Sequence, residues 1–281
     1  MRGSESELRD LIEAGKTVQG EPISKLGYFC APFRPADGPF ADRVIKVYRS
    51  NASDAQLDRL AEAHGDYVQV LQDCGVALPE TEFHFVESRG EKVPVIVQQA
   101  LPEAGLMRPQ MIAASLDEAV PLMEAAGDVI ATFWLSVKDH PQRVGFHPSI
   151  RNLAVIDGKG VFFDTFPPLI GYSREELGEL LITYSGNRAI RMIGPLLRRR
   201  VTGIQDEWYS PAETLIGLVG SACRLRPDDA EAFLSWGRDF AGRRMGEYAE
   251  ESIAGMQAPP QLPGYWTAFR KLLRLQGEPN I

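Results

Sequence analysis

A short predicted β-hairpin with a polar side chain at each mouth constrains the fold of this chain more than any other segment. From Asn152 to Asp164 it comprises an apolar strand (Leu153–Ile156), a turn (Asp157-Gly158-Lys159-Gly160) and a second apolar strand (Val161–Phe163). Because two strands that fold back on each other bring their outer ends together, Asn152 and Asp164 are predicted to lie side by side. An amide oxygen and a carboxylate placed in this way suit a hard divalent cation that also binds phosphates, as Mg²⁺ does. The alternative is an ordinary hairpin that these two residues merely flank.

The composition narrows the function classes. Acidic residues outnumber basic ones, 38 to 30, for a net charge of −8, which argues against nucleic acid as the main partner because that partner requires a basic face. Cys30, Cys74 and Cys223 are scattered without CxxC spacing, which indicates reduced core thiols of a cytosolic protein rather than a disulfide frame or a zinc site. No uninterrupted apolar run reaches the roughly 18 residues of a membrane span, and the acidic N-terminus lacks a signal-peptide core. We therefore expect a cytoplasmic protein without a membrane partner.

The order of predicted elements indicates an α+β fold in two parts. Strands are predicted at Ile23–Phe33, Val44–Tyr48, Thr81–Glu87 and Val93–Gln99, and a helix at Asp54–Cys74. A long helix at Ser115–Val137 opens with a capping box formed by Ser115 and Glu118, and the chain is almost wholly helical from Ser173 onward. The economical partition is a small β-rich lobe, residues 1–101, and a larger helical lobe, residues 102–281, that contains the hairpin.

This order of elements, together with the hairpin, resembles the protein-kinase-like fold, and the aminoglycoside and small-molecule phosphotransferase branch is the most similar. Lys46, in Val44-Ile-Lys-Val-Tyr48, resembles the lysine-bearing third strand of such enzymes, whose ammonium group neutralises nucleotide phosphates. The alternative for Lys46 is a half-exposed surface lysine. The resemblance implies a two-lobed kinase-like fold that uses ATP and Mg²⁺, with Asn152 and Asp164 as the metal ligands.

The resemblance also implies a carboxylate on the next helix that pairs with the lysine. In the phosphotransferase branch this acid precedes a helix-ending Gly and a Pro that begins the next strand. Asp66 stands in that relation to Gly75 and Pro79, and Glu62, one turn earlier, is the second candidate. The family usually has Glu at this place, and a solvated helix acid is the alternative.

The nucleotide-binding segments are less distinctive. The stretch Val95-Ile-Val-Gln-Gln-Ala-Leu-Pro102 resembles the hinge between the lobes, where backbone groups from Gln99 to Leu101 would hydrogen-bond an adenine edge. A glycine-rich loop of the form G-x-G-x-x-G is missing from the sequence around Gly27 and Gly38.

The chain departs from the family at the catalytic acid. Kinase-like enzymes carry that acid five residues before the metal-binding Asn, and here the position is His147, in His147-Pro-Ser-Ile-Arg-Asn152. The nearest upstream carboxylate is Asp139. A neutral imidazole accepts a proton near neutral pH, so His147 is a candidate base, and the alternative is a histidine that packs against the hairpin.

Two functions follow as hypotheses. The first is an ATP-dependent phosphotransferase that acts on a hydroxyl of a small-molecule metabolite, for example in antibiotic resistance or natural-product biosynthesis. The second is a pseudokinase-like protein with a scaffold, regulatory or different catalytic role. Arginines between Arg188 and Arg200 either bind an acidic substrate or form a solvated helix face.

Overall fold

The computed structural model of the protein describes residues 4–14, 29–185 and 205–260. The predicted α+β class is confirmed: a small antiparallel sheet and a two-stranded hairpin are combined with a mostly helical remainder. Helices are α1 (Glu5–Glu13), α2 (Asp54–Asp73), α3 (Met107–Ala113), α4 (Leu116–Val137), α5 (Arg174–Thr183), α6 (Pro211–Leu225), α7 (Ala230–Arg244) and α8 (Ala249–Gly255). Strands are β1 (Arg43–Val47), β2 (Thr81–Ser88), β3 (Glu91–Gln99), β4 (Leu153–Ile156) and β5 (Lys159–Phe162). Residues 23–28 of the first predicted strand, Gly27 and the arginines from Arg188 to Arg200 lie outside the described residues.

The chain forms two compact units that interleave along the sequence. The first unit contains Met1–Gly65, Pro79–Ala100 and Tyr172–Thr202, and the second contains Asp66–Leu78, Leu101–Gly171 and Gly203–Ile281. The partition into residues 1–101 and 102–281 therefore stays a prediction.

The first unit is built on a three-stranded antiparallel sheet in the order β1-β3-β2. Three of the four predicted strands are confirmed to within two residues at each end. In the described part of the first, residues 29–33, only Phe33 pairs, in an isolated bridge with Ile45. Side chains of one face, among them Ile45, Val95 and Val97, are buried together with Leu8 and Ile12 of α1. Helix α1 begins with a capping box formed by Ser4 and Glu7, and its two buried residues, four apart, give it one apolar face for the sheet.

Helix α2 lies over the opposite face of this sheet. Lys92 Nζ of β3 is 2.9 Å from Asp58 Oδ1 of α2, and the His64 ring of α2 contacts the Phe83 ring of β2 with centroids 5.1 Å apart. A second helix, α5, is joined to α2 by a bidentate pair in which Arg59 donates to both carboxylate oxygens of Glu176, at 2.7 and 3.0 Å. This pair lowers the pKa of Glu176 to about 2, with Ser173 adding to the effect.

Helix α4 is the core of the second unit. Its predicted capping box of Ser115 and Glu118 is confirmed. Among the described residues it is the helix whose length and composition would allow a membrane span, with mean hydropathy 1.3 over 18 residues. Of that window 61% is buried, as in the core helix of a globular domain. Trp134 Nε1 of α4 donates to Thr214 Oγ1 of α6 at 2.7 Å, and Trp236 Nε1 of α7 donates to Glu124 Oε2 of α4 at 2.9 Å.

Two of the three cysteines lie in the core, as predicted, whereas Cys30 is half-buried. Cys74 and Cys223 are buried and all three cysteines are free. Burial raises the pKa of the Cys74 and Cys223 thiols, which keeps both in the unreactive protonated form.

Candidate functional site

The hairpin β4–β5 closes more tightly than predicted. Only Asp157 and Gly158 form its turn, with φ of 50° and 73°, and two consecutive positive φ values mark the type I′ turn that matches the twist of the strands. The prediction that Lys159 and Gly160 belong to the turn is wrong, because both residues pair in β5. Gly160 instead faces α4, where a Cβ would stand 2.6 Å from the carbonyl oxygen of Ala125.

The hairpin register brings Asn152 and Asp164 to the same end. Leu153 pairs with Phe162, and beyond that pair the Phe163 N–H donates to the Asn152 carbonyl at 3.1 Å. Asn152 therefore faces Phe163, and Asp164 follows one residue further along the chain. The two residues share the open end of the hairpin, one residue out of direct register.

The side-chain amide of Asn152 is held by the segment that precedes it. Its Nδ2 donates to the His147 carbonyl at 3.0 Å, and its backbone N–H donates to the Ser149 carbonyl at 2.9 Å. Oδ1 lies about 120° from Nδ2 around the amide carbon, so this hydrogen bond leaves Oδ1 on another side of the amide group. The loop thus fixes the orientation of the Asn152 amide group, whose oxygen is the atom of this side chain that can bind a metal ion.

His147 packs within the second unit. Its ring stacks on Trp208 with centroids 4.6 Å apart, and it lines a small pocket of about 20 Å³ together with Glu207, Glu213 and Thr214. Burial lowers the pKa of His147 to about 4 and raises the pKa of Glu207. The imidazole is therefore neutral at physiological pH, able to accept a hydrogen bond, and only a weak base.

Asp139, the other candidate for the catalytic base, lies in the exposed turn after α4. Its negative charge is a minor cause of the raised pKa of Tyr248, which burial raises first. Asp139 is therefore close to Tyr248, in the helical part of the second unit.

Sequence reasoning missed Tyr67, which supports the segment before His147. The buried Tyr67 hydroxyl donates to the Gly145 carbonyl at 3.1 Å, while the Gly145 N–H donates to the Leu169 carbonyl at 2.8 Å. Burial raises the pKa of Tyr67, and the negative charge of Asp164 contributes, so the carboxylate lies near this hydroxyl. Tyr67 was detectable as a polar aromatic residue on the apolar stripe of α2, with Leu60 and Leu71.

We expect Tyr67→Phe to lower the free energy of unfolding by about 1–3 kcal/mol, because the buried Gly145 carbonyl would lose its partner. Urea unfolding measures this loss, and Tyr248→Phe, at a half-buried position, serves as the control with an effect within about 0.5 kcal/mol. Equal losses in both variants would contradict a special role for the Tyr67 hydroxyl.

In the first unit, the lysine of the predicted nucleotide site is buried. Lys46 is 6% exposed, so the alternative of a half-exposed surface lysine is wrong. The two acids predicted to pair with it, Glu62 and Asp66, are both exposed on α2. The charge of Glu62 acts on Arg59, as a minor contribution to the raised pKa of that arginine.

Two backbone amides of the predicted hinge are already engaged. The Gln99 N–H donates to the Glu80 carbonyl at 2.8 Å and the Ala100 N–H to the Asp42 carbonyl at 2.9 Å. The Leu101 N–H has no hydrogen-bond partner among the residues that the structure describes. Among the amide donors of Gln99, Ala100 and Leu101, that of Leu101 therefore differs from the other two.

The donor set at the open end of the hairpin fits Mg²⁺. It consists of the Asn152 amide oxygen and the Asp164 carboxylate, both hard oxygen donors. Within residues 4–14, 29–185 and 205–260, no three His, Cys, Asp or Glu side chains gather into a metal cluster. An amide and a single carboxylate fit a cation whose remaining ligands are water and phosphate, which is how Mg²⁺ binds with nucleotides.

Comparisons with known proteins give a structural likeness and a family. No curated protein matches the chain. The crystal structure of the LegK7 effector kinase of Legionella pneumophila is similar at a TM-score of 0.39 and 13% identity, over 96% of this chain and 68% of that one. Residues 7–277 match the model of DUF6206, a family of unknown function, and the chain belongs to that family.

Proposed function

We propose that the protein has a kinase-like fold and is an ATP- and Mg²⁺-dependent phosphotransferase that acts on a hydroxyl of a small molecule. The observation that carries this proposal is the Asn152 side chain, whose amide nitrogen is anchored on the His147 carbonyl at 3.0 Å, at the same end of the hairpin as Asp164. The proposal includes a cytoplasmic location and a metabolite or natural product, such as an antibiotic, as the acceptor.

In the proposed reaction each residue has a limited task. The acceptor hydroxyl oxygen forms a bond to the γ-phosphorus of ATP while the bond from that phosphorus to the β–γ bridging oxygen breaks, and the hydroxyl proton leaves to a base. Asn152 and Asp164 would hold Mg²⁺, which when bound supplies positive charge against the phosphate oxygens. Lys46 adds its ammonium charge. The transition state is loose, so a weak base suffices, and His147 or Asp139 is the candidate for that role.

One observation favours the second candidate function. The His147 ring stacks on Trp208 and its pKa is lowered to about 4, so it is a poor proton acceptor for catalysis. A pseudokinase-like protein, which binds nucleotide but acts as a scaffold or regulator, needs no base at this position.

Calorimetric titration with ATP, with and without Mg²⁺, tests the shared nucleotide site. We expect Mg²⁺-dependent binding that Asp164→Asn weakens at least tenfold, since the substitution removes the only carboxylate from the pair. Asp157→Asn is the matched control: it changes a carboxylate of the same hairpin at its other end, at a positive φ that Asn tolerates, and should bind as the unmodified chain does.

Two outcomes count against parts of the proposal. Absence of ATP binding in all conditions would overturn it as a whole. Binding without ADP release in a screen of hydroxylated acceptors would favour the pseudokinase-like function over transfer.

A further inference from the structure

The strand register places Lys46 in a row of three side chains across the sheet of the first unit. Lys46 of β1 pairs with Ile96 of β3, and Ile96 pairs with Phe83 of β2. Directly paired residues of antiparallel strands project from the same face, so Lys46, Ile96 and Phe83 share one face of the sheet. This is the face that α2 covers, because Lys92 and Phe83, which both project from it, contact Asp58 and His64 of α2.

The residue that α2 presents to this row is His64. It is 2% exposed, and its ring lies against Phe83 with centroids 5.1 Å apart. Glu62 and Asp66 each stand two positions from His64, which is a rotation of about 200° around the helix. A helix that turns His64 toward the sheet therefore turns both acids toward solvent, where the structure has them.

We propose that His64 is the positioning residue for Lys46, accepting a hydrogen bond from the ammonium group as a neutral imidazole. The inference rests on the proposed function in one respect, namely that Lys46 contacts the nucleotide phosphates.

The chemistry of the two groups suits this pairing. Burial, and secondarily the positive charge of Lys46, lower the pKa of His64 to about 4, so the ring is neutral at physiological pH. A neutral imidazole has one nitrogen that accepts a hydrogen bond, and an ammonium group has three donors and no acceptor. A neutral imidazole carries no charge, so it orients the ammonium without itself offsetting the positive charge.

The first experiment follows the imidazole directly and requires no nucleotide. The ¹⁵N resonances of the four histidine rings are titrated by NMR, and His64 is assigned by the signal that disappears in His64→Gln. We expect Lys46→Met to raise the pKa of His64 by about one unit, because it removes a nearby positive charge from a buried site. Lys92→Met is the matched control: Lys92 lies on the same face but pairs with Asp58, and its loss should leave the His64 titration unchanged. A His64 titration that does not respond to Lys46→Met would overturn the proposal.

The second experiment separates positioning from packing. His64→Gln keeps a neutral acceptor and should retain Mg²⁺-ATP affinity within about twofold, whereas the apolar His64→Leu should weaken it about tenfold at a similar Tm. Equal affinity in both variants would overturn the positioning role. If the unmodified protein binds no ATP, the proposed function fails, and the NMR titration alone decides whether His64 and Lys46 are coupled.

Discussion

Gly160→Ala is expected to displace the hairpin that carries Asn152 and Asp164. A Cβ at position 160 would lie 2.5 Å from Val129 Cγ2 and 2.6 Å from the Ala125 carbonyl oxygen. The valine side chain has some freedom, but the carbonyl belongs to the backbone of α4, a 22-residue core helix, and cannot yield alone. Overpacking of this kind costs about 1–3 kcal/mol, and we expect a loss near the upper end.

The functional effect should exceed what the lost stability explains. Under conditions in which Gly160→Ala is still folded, Mg²⁺-ATP affinity should fall at least tenfold, because the shifted strand moves both proposed metal ligands without changing their chemistry. Urea unfolding and calorimetric titration measure the two effects on the same preparation.

Gly242→Ala is the control for the added methyl group. Gly242 lies in α7 with nothing within 4 Å of the new Cβ, so this substitution should raise stability by up to about 1 kcal/mol and leave binding unchanged. A Gly160→Ala variant as stable as the unmodified chain, with unchanged affinity, would mean that the hairpin does not depend on its close approach to α4.

Local sequence patterns identify most of the helices and strands of the described residues. Alternation of apolar residues identifies the strands around Ile45, Phe83 and Val95, and the spacing of Ser115 and Glu118 identifies the start of α4. The sequence predicts too long a hairpin turn because two consecutive glycine-containing dipeptides, Asp157-Gly158 and Lys159-Gly160, both have the composition of a turn. Packing decides between them, since Gly160 is required where β5 meets α4.

Local sequence patterns do not identify the side chains that lie near Lys46. The resemblance selects Asp66 or Glu62 because a carboxylate would pair with the lysine charge. The orientation of α2, however, is set by the burial of its apolar stripe, which contains Leu57, Leu60 and Leu71. His64 falls on that stripe by spacing, and the helical period alone could have identified it as the buried polar residue. The contact of Tyr67 with Gly145 joins residues 78 positions apart, and no sequence periodicity encodes such a contact.

Acid should destabilise the protein through His64 and His147. The pKa values of His64 and His147 are lowered to about 4 in the folded chain, against 6.5 for an ordinary histidine. Between those values the unfolded chain binds protons that the folded chain does not, so the free energy of unfolding falls as the pH drops below 6.5. For a shift of this size, the loss attributable to each ring relative to pH 8 is about 2 kcal/mol at pH 5 and about 3 kcal/mol at pH 4.

Carboxylates also titrate in this range. The informative quantity is therefore the difference in the free energy of unfolding between the unmodified chain and a variant, followed as a function of pH. His64→Gln removes one titrating ring, and its stability relative to the unmodified chain should improve by about 2 kcal/mol between pH 8 and pH 5, as measured by urea unfolding. His140→Gln, at a half-buried histidine in the turn after α4, provides the matched control for a histidine replaced outside the core. A difference for His64→Gln that stays constant from pH 8 to pH 5 would show that His64 protonates equally in the folded and unfolded chains, and would thereby remove the neutral imidazole from the site beside Lys46.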